Sequence, residues 1–294
     1  MTQTATDTAV QTGTSSNCQE NCQDIRLLVL DIDGTIAGVS NQVSDRVKQA
    51  IVEAQRQGVS VAIATGRMYR SALRFYREIG STLPLIAYQG AWIADPTNNR
   101  RHGHWPLASE IALELLDEFD RPEVRSLFSV HCYIDDRLYV RELTPASRAY
   151  GDRTGVEPIA VGDLRSVVAD SAPTKVLALG HEIEVISQLL DTFRRRYRGG
   201  ELYLTQSHDY FLEAGNPQVN KGVAVRYLTE EILGLSAANV MAIGDNFNDL
   251  EMLDYAGIGV AMGNAPDAVR AVGDWLAPSV DRDGVAAAIE EFIL

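Results

Sequence analysis

Two aspartates follow directly on a short apolar run near the start of the chain. The run covers residues 27–30, and Asp31 and Asp33 come next, before a turn at Gly34. A run this short, stopped by a glycine turn, is typical of a buried strand. Ligands of open α/β sheets bind at the carboxyl ends of the strands. Because two acids there are costly unless a cation, a proton or hydrogen bonds compensate them, the segment predicts a strand that ends in a functional site.

Short apolar runs alternate with amphipathic segments on both sides of a long central stretch. Behind the first run, apolar residues recur at helical spacing between Ser44, a favoured N-cap residue, and Gly58. The other expected elements are strands at 59–64, 85–88, 240–243 and 258–262, and helices at 72–79, 221–233 and 285–292. This alternation predicts an α/β fold with a doubly wound, Rossmann-like parallel sheet and right-handed crossovers.

The pattern changes between residues 91 and 212. Helices are mixed there with longer strands that alternate polar and apolar residues, which is typical of an α+β module. We therefore predict a core over 24–90 and 213–294, interrupted by an inserted α+β module over 91–212. Residues 1–23 are rich in Thr, Gln, Ser and Asn and cannot bury enough apolar surface to order themselves, so they are predicted to be a disordered tail.

Charge and composition exclude several classes of partner. The chain has 294 residues and a formal net charge of −14, so nucleic acid and anionic membranes are not expected partners. No segment resembles a secretory signal or reaches the length of a membrane span. The 3 cysteines do not make a disulfide framework, and Cys18 and Cys22 are expected to be free thiols. These features predict a soluble cytoplasmic protein, and a monomer or a homodimer is expected.

Four groups of polar residues stand at the ends of predicted core elements. They are Asp31, Asp33, Gly34 and Thr35; Thr65, Gly66 and Arg67; Lys221 and Gly222; and the run from Gly244 to Asp249. Each group alone has an ordinary structural explanation, such as a turn or a solvated charge. Because the carboxyl ends of parallel strands meet at one edge of a sheet, the groups together predict a single site.

The four groups resemble, in the same order, the four sequence motifs of the haloacid dehalogenase-like superfamily of phosphohydrolases. The chain is similar to its Cof-type, sugar-phosphatase-like branch, which carries a large C2-type cap inserted after the third strand. Further matching stretches are residues 261–265 and 281–285. The resemblance covers most of 25–294 and implies that the insertion over 91–212 is a cap that closes over the substrate. One departure is Gln89-Gly90, where the family usually has Asn-Gly.

Hydrolysis of a phosphate monoester explains the residue types in these motifs. A phosphate dianion repels nucleophiles, so the reaction needs charge neutralisation and in-line positioning. Asp31 is the expected nucleophile, which forms an aspartyl-phosphate, and Asp33 is the expected general acid and then general base. The expected contacts of the phosphate or substrate, the last of them implied by the resemblance alone, are Thr65, Gly66, Lys221 and Asn248.

The charge balance of the expected site predicts a divalent cation. Four carboxylates would bring four negative charges into one pocket, of which Lys221 offsets one. A divalent cation offsets two more and a proton on Asp33 the last, and Mg²⁺ fits because it prefers oxygen ligands and shares its coordination with a phosphate. The expected ligands are the carboxylates of Asp31, Asp245 and Asp249, the last directly or through water, and the backbone carbonyl of Asp33. Like-charge repulsion is expected to raise the pKa of Asp33.

The sequence thus predicts a Mg²⁺-dependent phosphatase for a small phosphorylated metabolite. The resemblance makes sugar phosphates the leading substrate class, with flavin mononucleotide and pyridoxal phosphate as alternatives. A phosphomutase of the same superfamily, which returns the phosphoryl group to the substrate, is a second candidate. A non-catalytic phosphate-sensing protein on the same scaffold is a third, and it is disfavoured because every charged motif residue is present.

Overall fold

The computed structural model describes residues 24–180, 182–197, 200–208 and 210–294. The predicted disordered tail over 1–23, with Cys18 and Cys22, lies outside the described residues. The strands are β1 (Leu27–Leu30), β2 (Ser60–Ile63), β3 (Leu85–Ala87), β4 (Trp92–Ala94), β5 (Arg101–His104), β6 (Phe128–Ile134), β7 (Arg137–Val140), β8 (Ile159–Ala160), β9 (Lys175–Gly180), β10 (Tyr203–Thr205), β11 (Phe211–Gly215), β12 (Val240–Gly244), β13 (Ile258–Ala261) and β14 (Trp275–Leu276). The helices are α1 (Asp45–Arg56), α2 (Tyr69–Glu78), α3 (Ser109–Phe119), α4 (Pro145–Thr154), α5 (Leu164–Asp170), α6 (Ile183–Arg196), α7 (Lys221–Tyr227), α8 (Leu250–Tyr255), α9 (Asp267–Arg270) and α10 (Gly284–Phe292).

A parallel sheet in the order β14-β13-β12-β1-β2 forms the centre of the molecule. Strand β1 is buried along its whole length. Its side chains alternate between two apolar clusters, Leu28 packing with α1, α2 and α10, and Leu27 packing with α7, α8 and α9. A parallel sheet needs helices on both faces to bury it, and this arrangement confirms the predicted doubly wound α/β fold.

Helix α1 follows the predicted pattern closely. The Ser44 hydroxyl accepts a hydrogen bond from the backbone N–H of Val47 at 3.2 Å, which caps the first turn. The buried positions Val47, Ala50, Ile51 and Ala54 form one stripe that faces the sheet. The chain leaves the helix through Gly58, whose φ of +88° favours glycine. The stripe fixes where β2 begins, and therefore where Thr65 lies.

The third strand differs in part from its prediction. As expected, it lies parallel to the end of β2, through a bridge between Ala64 and Ile86, but it also pairs with β4 in a small antiparallel sheet, β3-β4-β5, which was not expected. The physical reason is the turn that follows, where Gln89 and Gly90 have φ of 58° and 98° and reverse the chain at once. The reversal holds the Gln89 side chain close to the end of β2.

A second, six-stranded sheet in the order β10-β11-β9-β6-β7-β8 lies within the central part of the chain. We call it the cap sheet; its pairs are antiparallel except for β7 with β8. Side chains of β6 and β9 on one face pack against α3, α5 and α6. The other face packs with residues around β3 and β4, such as Tyr88 and Trp92. The division into a core over 24–90 and 213–294 and a cap over 91–212 stays a prediction.

The described part of the chain contains no helix that is both long and apolar enough to cross a membrane. The helix expected at 221–233 is present. It runs as α7 to Tyr227 and continues as a π-helical turn over Leu228–Ile232.

Candidate active site

The ends of β1 and β12 bring three carboxylates together, as the sequence predicts. Asp31 follows β1, and Asp245 and Asp249 follow β12. Oxygen atoms of the three side chains all lie within 4.8 Å of one another, and all three residues are buried. Because the two strands are adjacent and parallel, residues 214 positions apart along the chain meet at one sheet edge.

Lys221 supplies the positive charge at the centre of this group. It is the first residue of α7, which Asn220 caps by accepting a hydrogen bond from the N–H of Val223. The Lys221 ammonium donates to Asp31 Oδ1 at 2.7 Å and to Asp249 Oδ1 at 2.5 Å, and its side chain is completely buried. One fixed cation therefore joins two of the three carboxylates.

Backbone groups and neutral side chains hold the other acid oxygens. Asp249 Oδ2 accepts hydrogen bonds from the backbone N–H groups of Asp245 at 2.8 Å and Asn246 at 3.0 Å. Asp245 accepts from the Thr35 hydroxyl at 3.3 Å and from the Asn264 amide at 3.2 Å. These contacts fix the directions of the carboxylates before any ligand binds.

Gly34 is required by the position of Asp245. Its φ is +80°, and a Cβ placed on it would lie 2.1 Å from Asp245 Oδ2. No other residue could adopt this backbone without displacing the carboxylate. The glycine of the first motif thus makes room for the acid of the fourth.

The negative charges at this edge exceed what Lys221 can compensate. Burial raises the pKa of Asp31 to about 7. The charge of Lys221 lowers this pKa and the charge of Asp249 raises it, but burial has the largest effect. Burial, followed by the charges of Asp249 and Asp31, also holds the pKa of Asp245 well above its ordinary value. Clustered carboxylate oxygens with raised pKa values fit a hard cation, which would favour their ionised forms. The residues present could therefore hold a metal ion.

Asp33 lies beside this group, but its carboxylate contacts arginines. Arg67 donates to both oxygens of Asp33 at 2.6 Å, and Arg153 of α4 donates to Asp33 Oδ1 at 3.1 Å. Burial alone would raise the pKa of Asp33, but the hydrogen bonds and charge of Arg67, together with the charge of Arg153, lower it below its ordinary value. The expectation of a raised pKa was therefore wrong. The two guanidinium groups outweigh the neighbouring carboxylates, and one of them comes from a distant part of the chain.

A closed ring of hydrogen bonds runs through Asp33. Arg67 also donates to Asn41 Oδ1 at 2.7 Å, and Asn41 Nδ2 donates to the backbone carbonyl of Arg153 at 2.9 Å. The ring therefore consists of Asp33, Arg67, Asn41 and Arg153. It ties the carboxyl end of α4 to the loop that precedes α1.

The predicted substrate contacts lie around the same opening. The Thr65 hydroxyl accepts from the backbone N–H of Arg67 at 3.1 Å and keeps its own proton for a further acceptor. Asn248 Nδ2 donates to Gln89 Oε1 at 3.1 Å. Among the described residues, the buried Asn248 Oδ1 has no partner. A Cβ on Gly66 would lie 2.3 Å from Gln89 Nε2. The turn at Gly66 therefore packs tightly against Gln89, the residue that stands where the family usually has Asn.

Many of these residues line one cavity of about 570 Å³ between the parallel sheet and the cap sheet. Its core wall includes Asp31, Asp33, Thr65, Gly66, Asp245 and Asn248. Its cap wall was not identified from the sequence, and it includes Tyr150, Arg153, Lys175, His208, Phe211 and Glu213. The rarity of lysine in the chain was the one signal that could have pointed to Lys175.

Comparison with known proteins agrees with this geometry. A model of the haloacid dehalogenase-like hydrolase family matches residues 28–289. Two similar proteins of Bacillus subtilis are each named 5-amino-6-(5-phospho-D-ribitylamino)uracil phosphatase. One, YcsE, is 30% identical over 275 residues, which cover 92% of this chain and 97% of YcsE. The other, YitU, is 27% identical over 270 residues, which cover 90% of this chain and 97% of YitU.

The fold is also found in solved structures. A haloacid dehalogenase-like hydrolase from Bacteroides thetaiotaomicron is 25% identical and superposes with a TM-score of 0.77. The matched region covers 91% of this chain and 99% of that protein. The similarity therefore extends over both the parallel sheet and the cap sheet.

Proposed function

Because the chain belongs to the haloacid dehalogenase-like hydrolase family, we propose that it is a Mg²⁺-dependent phosphatase that acts on a small phosphorylated metabolite. As an enzyme it is a phosphoric monoester hydrolase. The observation that carries the proposal is the buried group of Asp31, Asp245 and Asp249 around Lys221. Sugar and polyol phosphates are the substrate class we propose, in keeping with the names of the two Bacillus relatives.

Asp31 is the proposed nucleophile. Its carboxylate oxygen forms a bond to phosphorus while the bond from phosphorus to the ester oxygen breaks, which leaves an aspartyl-phosphate. Lys221, 2.7 Å from Asp31 Oδ1, favours the ionised form of this carboxylate against the effect of burial, and it neutralises charge on the phosphoryl group. The Thr65 hydroxyl donates to a phosphoryl oxygen.

Asp33 is the proposed proton-transfer group. It gives a proton to the departing ester oxygen, and in the second step it takes one from the water that attacks phosphorus and releases Asp31. The ionised Asp33 held by Arg67 suits the second step. The first step requires Asp33 to be protonated, so we propose that substrate first draws both Arg67 and Arg153 away from it, because Arg67 is the larger cause of its lowered pKa.

Asp31, Asp245 and Asp249 would hold Mg²⁺, with the backbone carbonyl of Asp33. When bound, the ion neutralises negative charge on the phosphate and on the carboxylates around it. The raised pKa values of Asp31 and Asp245 support this assignment, because two buried carboxylates without a second cation favour protonation.

The test is release of inorganic phosphate from a panel of phosphorylated metabolites, with and without Mg²⁺. We expect Mg²⁺-dependent release by the wild-type chain and its loss in Asp31→Asn. Asp254→Asn, at an exposed position of α8, is the matched control and should keep full activity. Release that Asp31→Asn leaves intact would remove the proposed nucleophile. Isomerisation of the substrate without free phosphate would indicate a phosphomutase, and binding without turnover a phosphate sensor.

A further inference from the structure

Three aromatic rings stand side by side on the cap wall of the cavity. They belong to Tyr150 of α4, to Phe211 at the start of β11, and to His208 in the preceding turn. The ring centroids of His208 and Phe211 are 5.0 Å apart with planes inclined by 35°, and those of Phe211 and Tyr150 are 6.1 Å apart. His208 is exposed, and the other two are half-buried. Tyr150 and Phe211 pack on one side against an apolar cluster, and all three rings line the cavity.

Local contacts hold these rings in place. The backbone N–H of Phe211 donates to the carbonyl of His208 at 2.9 Å, which keeps the two rings on one turn. The Tyr150 hydroxyl accepts a hydrogen bond from Tyr133 at 2.8 Å, and the Tyr150 ring lies 5.0 Å from that of His131. A surface fixed in this way offers a planar group a preformed stacking site.

A buried ion pair borders the same wall. Lys175 Nζ donates to Glu213 Oε2 at 2.6 Å and to the backbone carbonyl of Gly66 at 2.8 Å, and both side chains are more than nine-tenths buried. Hydrolysis of the phosphate does not use this pair. Burying two charges costs desolvation free energy that their mutual attraction often does not exceed, so stability alone does not explain this pair. Glu213 also accepts hydrogen bonds from the Ser207 hydroxyl and from Gln89 Nε2, so the pair forms a fixed polar border beside the aromatic rings.

We propose that the cap wall binds the leaving group of the substrate through a planar heterocyclic ring stacked on Phe211 and His208. The substrate is then a sugar or polyol phosphate that carries such a ring at the end remote from the phosphate. The inference rests on the proposed function and narrows it. A cavity of about 570 Å³ has room for a ring in addition to a phosphorylated chain.

The experiment compares two sets of probes. The ring-bearing set is flavin mononucleotide, uridine 5′-monophosphate and pyridoxal 5′-phosphate, and the ringless set is glucose 6-phosphate, erythrose 4-phosphate and sorbitol 6-phosphate. Phosphate release gives kcat/KM for each, and the measured quantity is the ratio of the best ring-bearing to the best ringless probe. The wild-type ratio should exceed one. Phe211→Leu keeps apolar volume but removes the stacking face, and should lower the ratio by about 3- to 12-fold.

Phe292→Leu is the matched control, because Phe292 packs edge-on against Trp275 and does not line the cavity. It should leave the ratio unchanged. His208→Leu alters an exposed residue, so it provides a second variant if Phe211→Leu does not fold, and it should also lower the ratio. A wild-type ratio below one, or a ratio that neither variant changes, would overturn the inference and leave the phosphatase intact. Absence of phosphate release from both sets would instead overturn the proposed function.

Discussion

Replacing Asp31 by Asn should abolish turnover and at the same time stabilise the protein in the absence of Mg²⁺. Burial raises the pKa of Asp31 to about 7, against an ordinary value of 3.8. Near pH 8 the folded chain must therefore hold an ionised carboxylate that its surroundings disfavour. Asparagine has the same shape and carries no charge, so the unfavourable ionisation disappears.

The size of the effect follows from the difference in pKa. Each pKa unit corresponds to about 1.4 kcal/mol, so the shift limits the gain in unfolding free energy to about 4 kcal/mol at pH 8. Because the folded pKa is raised, the contribution of Asp31 to stability is fully present below about pH 4 and is lost as the pH rises toward 7. The advantage of Asp31→Asn should therefore shrink toward zero as the pH falls to about 4.

Urea denaturation of the wild type, Asp31→Asn and Asp254→Asn at pH 4, 6 and 8, each with EDTA, would measure this difference. Asp254→Asn controls for the loss of one negative charge at an exposed site. Far-UV circular dichroism would establish that all three chains are folded. If Asp31→Asn were less stable than the wild type at pH 8 and the deficit did not vary with pH, the electrostatic account of this site would be refuted.

Three further predictions concern the ion, the glycine of the first motif and the contact between Arg153 and Asp33. Mg²⁺ at 100 times its dissociation constant should raise the unfolding free energy of the wild type by about 2.7 kcal/mol, and EDTA should reverse the gain in thermal denaturation. Gly34→Ala should destabilise the chain by about 2 kcal/mol or more and weaken Mg²⁺ binding measured by calorimetry, because the added Cβ would meet Asp245. Its control is Gly58→Ala, at a similar φ of +88° but with open space around it. This variant should lower the unfolding free energy by about 1 kcal/mol and leave Mg²⁺ binding unchanged. Arg153→Met should raise the pKa of Asp33 and shift the alkaline limb of the kcat/KM profile upward by up to about one pH unit, because the first step needs Asp33 protonated; an unshifted limb would contradict the assigned role of this contact.

The parts of the fold that local sequence determines were predicted well. Strand β1 and helix α1 were identified because their burial and spacing depend on nearby residues alone. The convergence of Asp31 and Asp245 followed from one topological rule about parallel strands. The pairing of β3 with β4 was missed because it depends on the turn at Gln89, which a pattern of apolar residues does not reveal.

The cap wall could not be predicted for a different reason. Asp33 meets Arg153 across 120 positions of the chain, and no periodicity relates the two. The predicted rise in the pKa of Asp33 was wrong because it counted only the charges that the motifs placed nearby. Electrostatics at a site between two sheets depends on both walls, and the sequence motifs described only one.

The ring of hydrogen bonds through Asp33, Arg67, Asn41 and Arg153 couples the active-site carboxylate to the position of α4 in the substrate-free protein. Under the proposed mechanism, the carboxylate that transfers protons also holds α4 against the loop that precedes α1. Movement of α4 away from that loop would break the contact between Arg153 and Asp33. Opening of the cavity to substrate and release of Asp33 from Arg153 would then occur in the same movement.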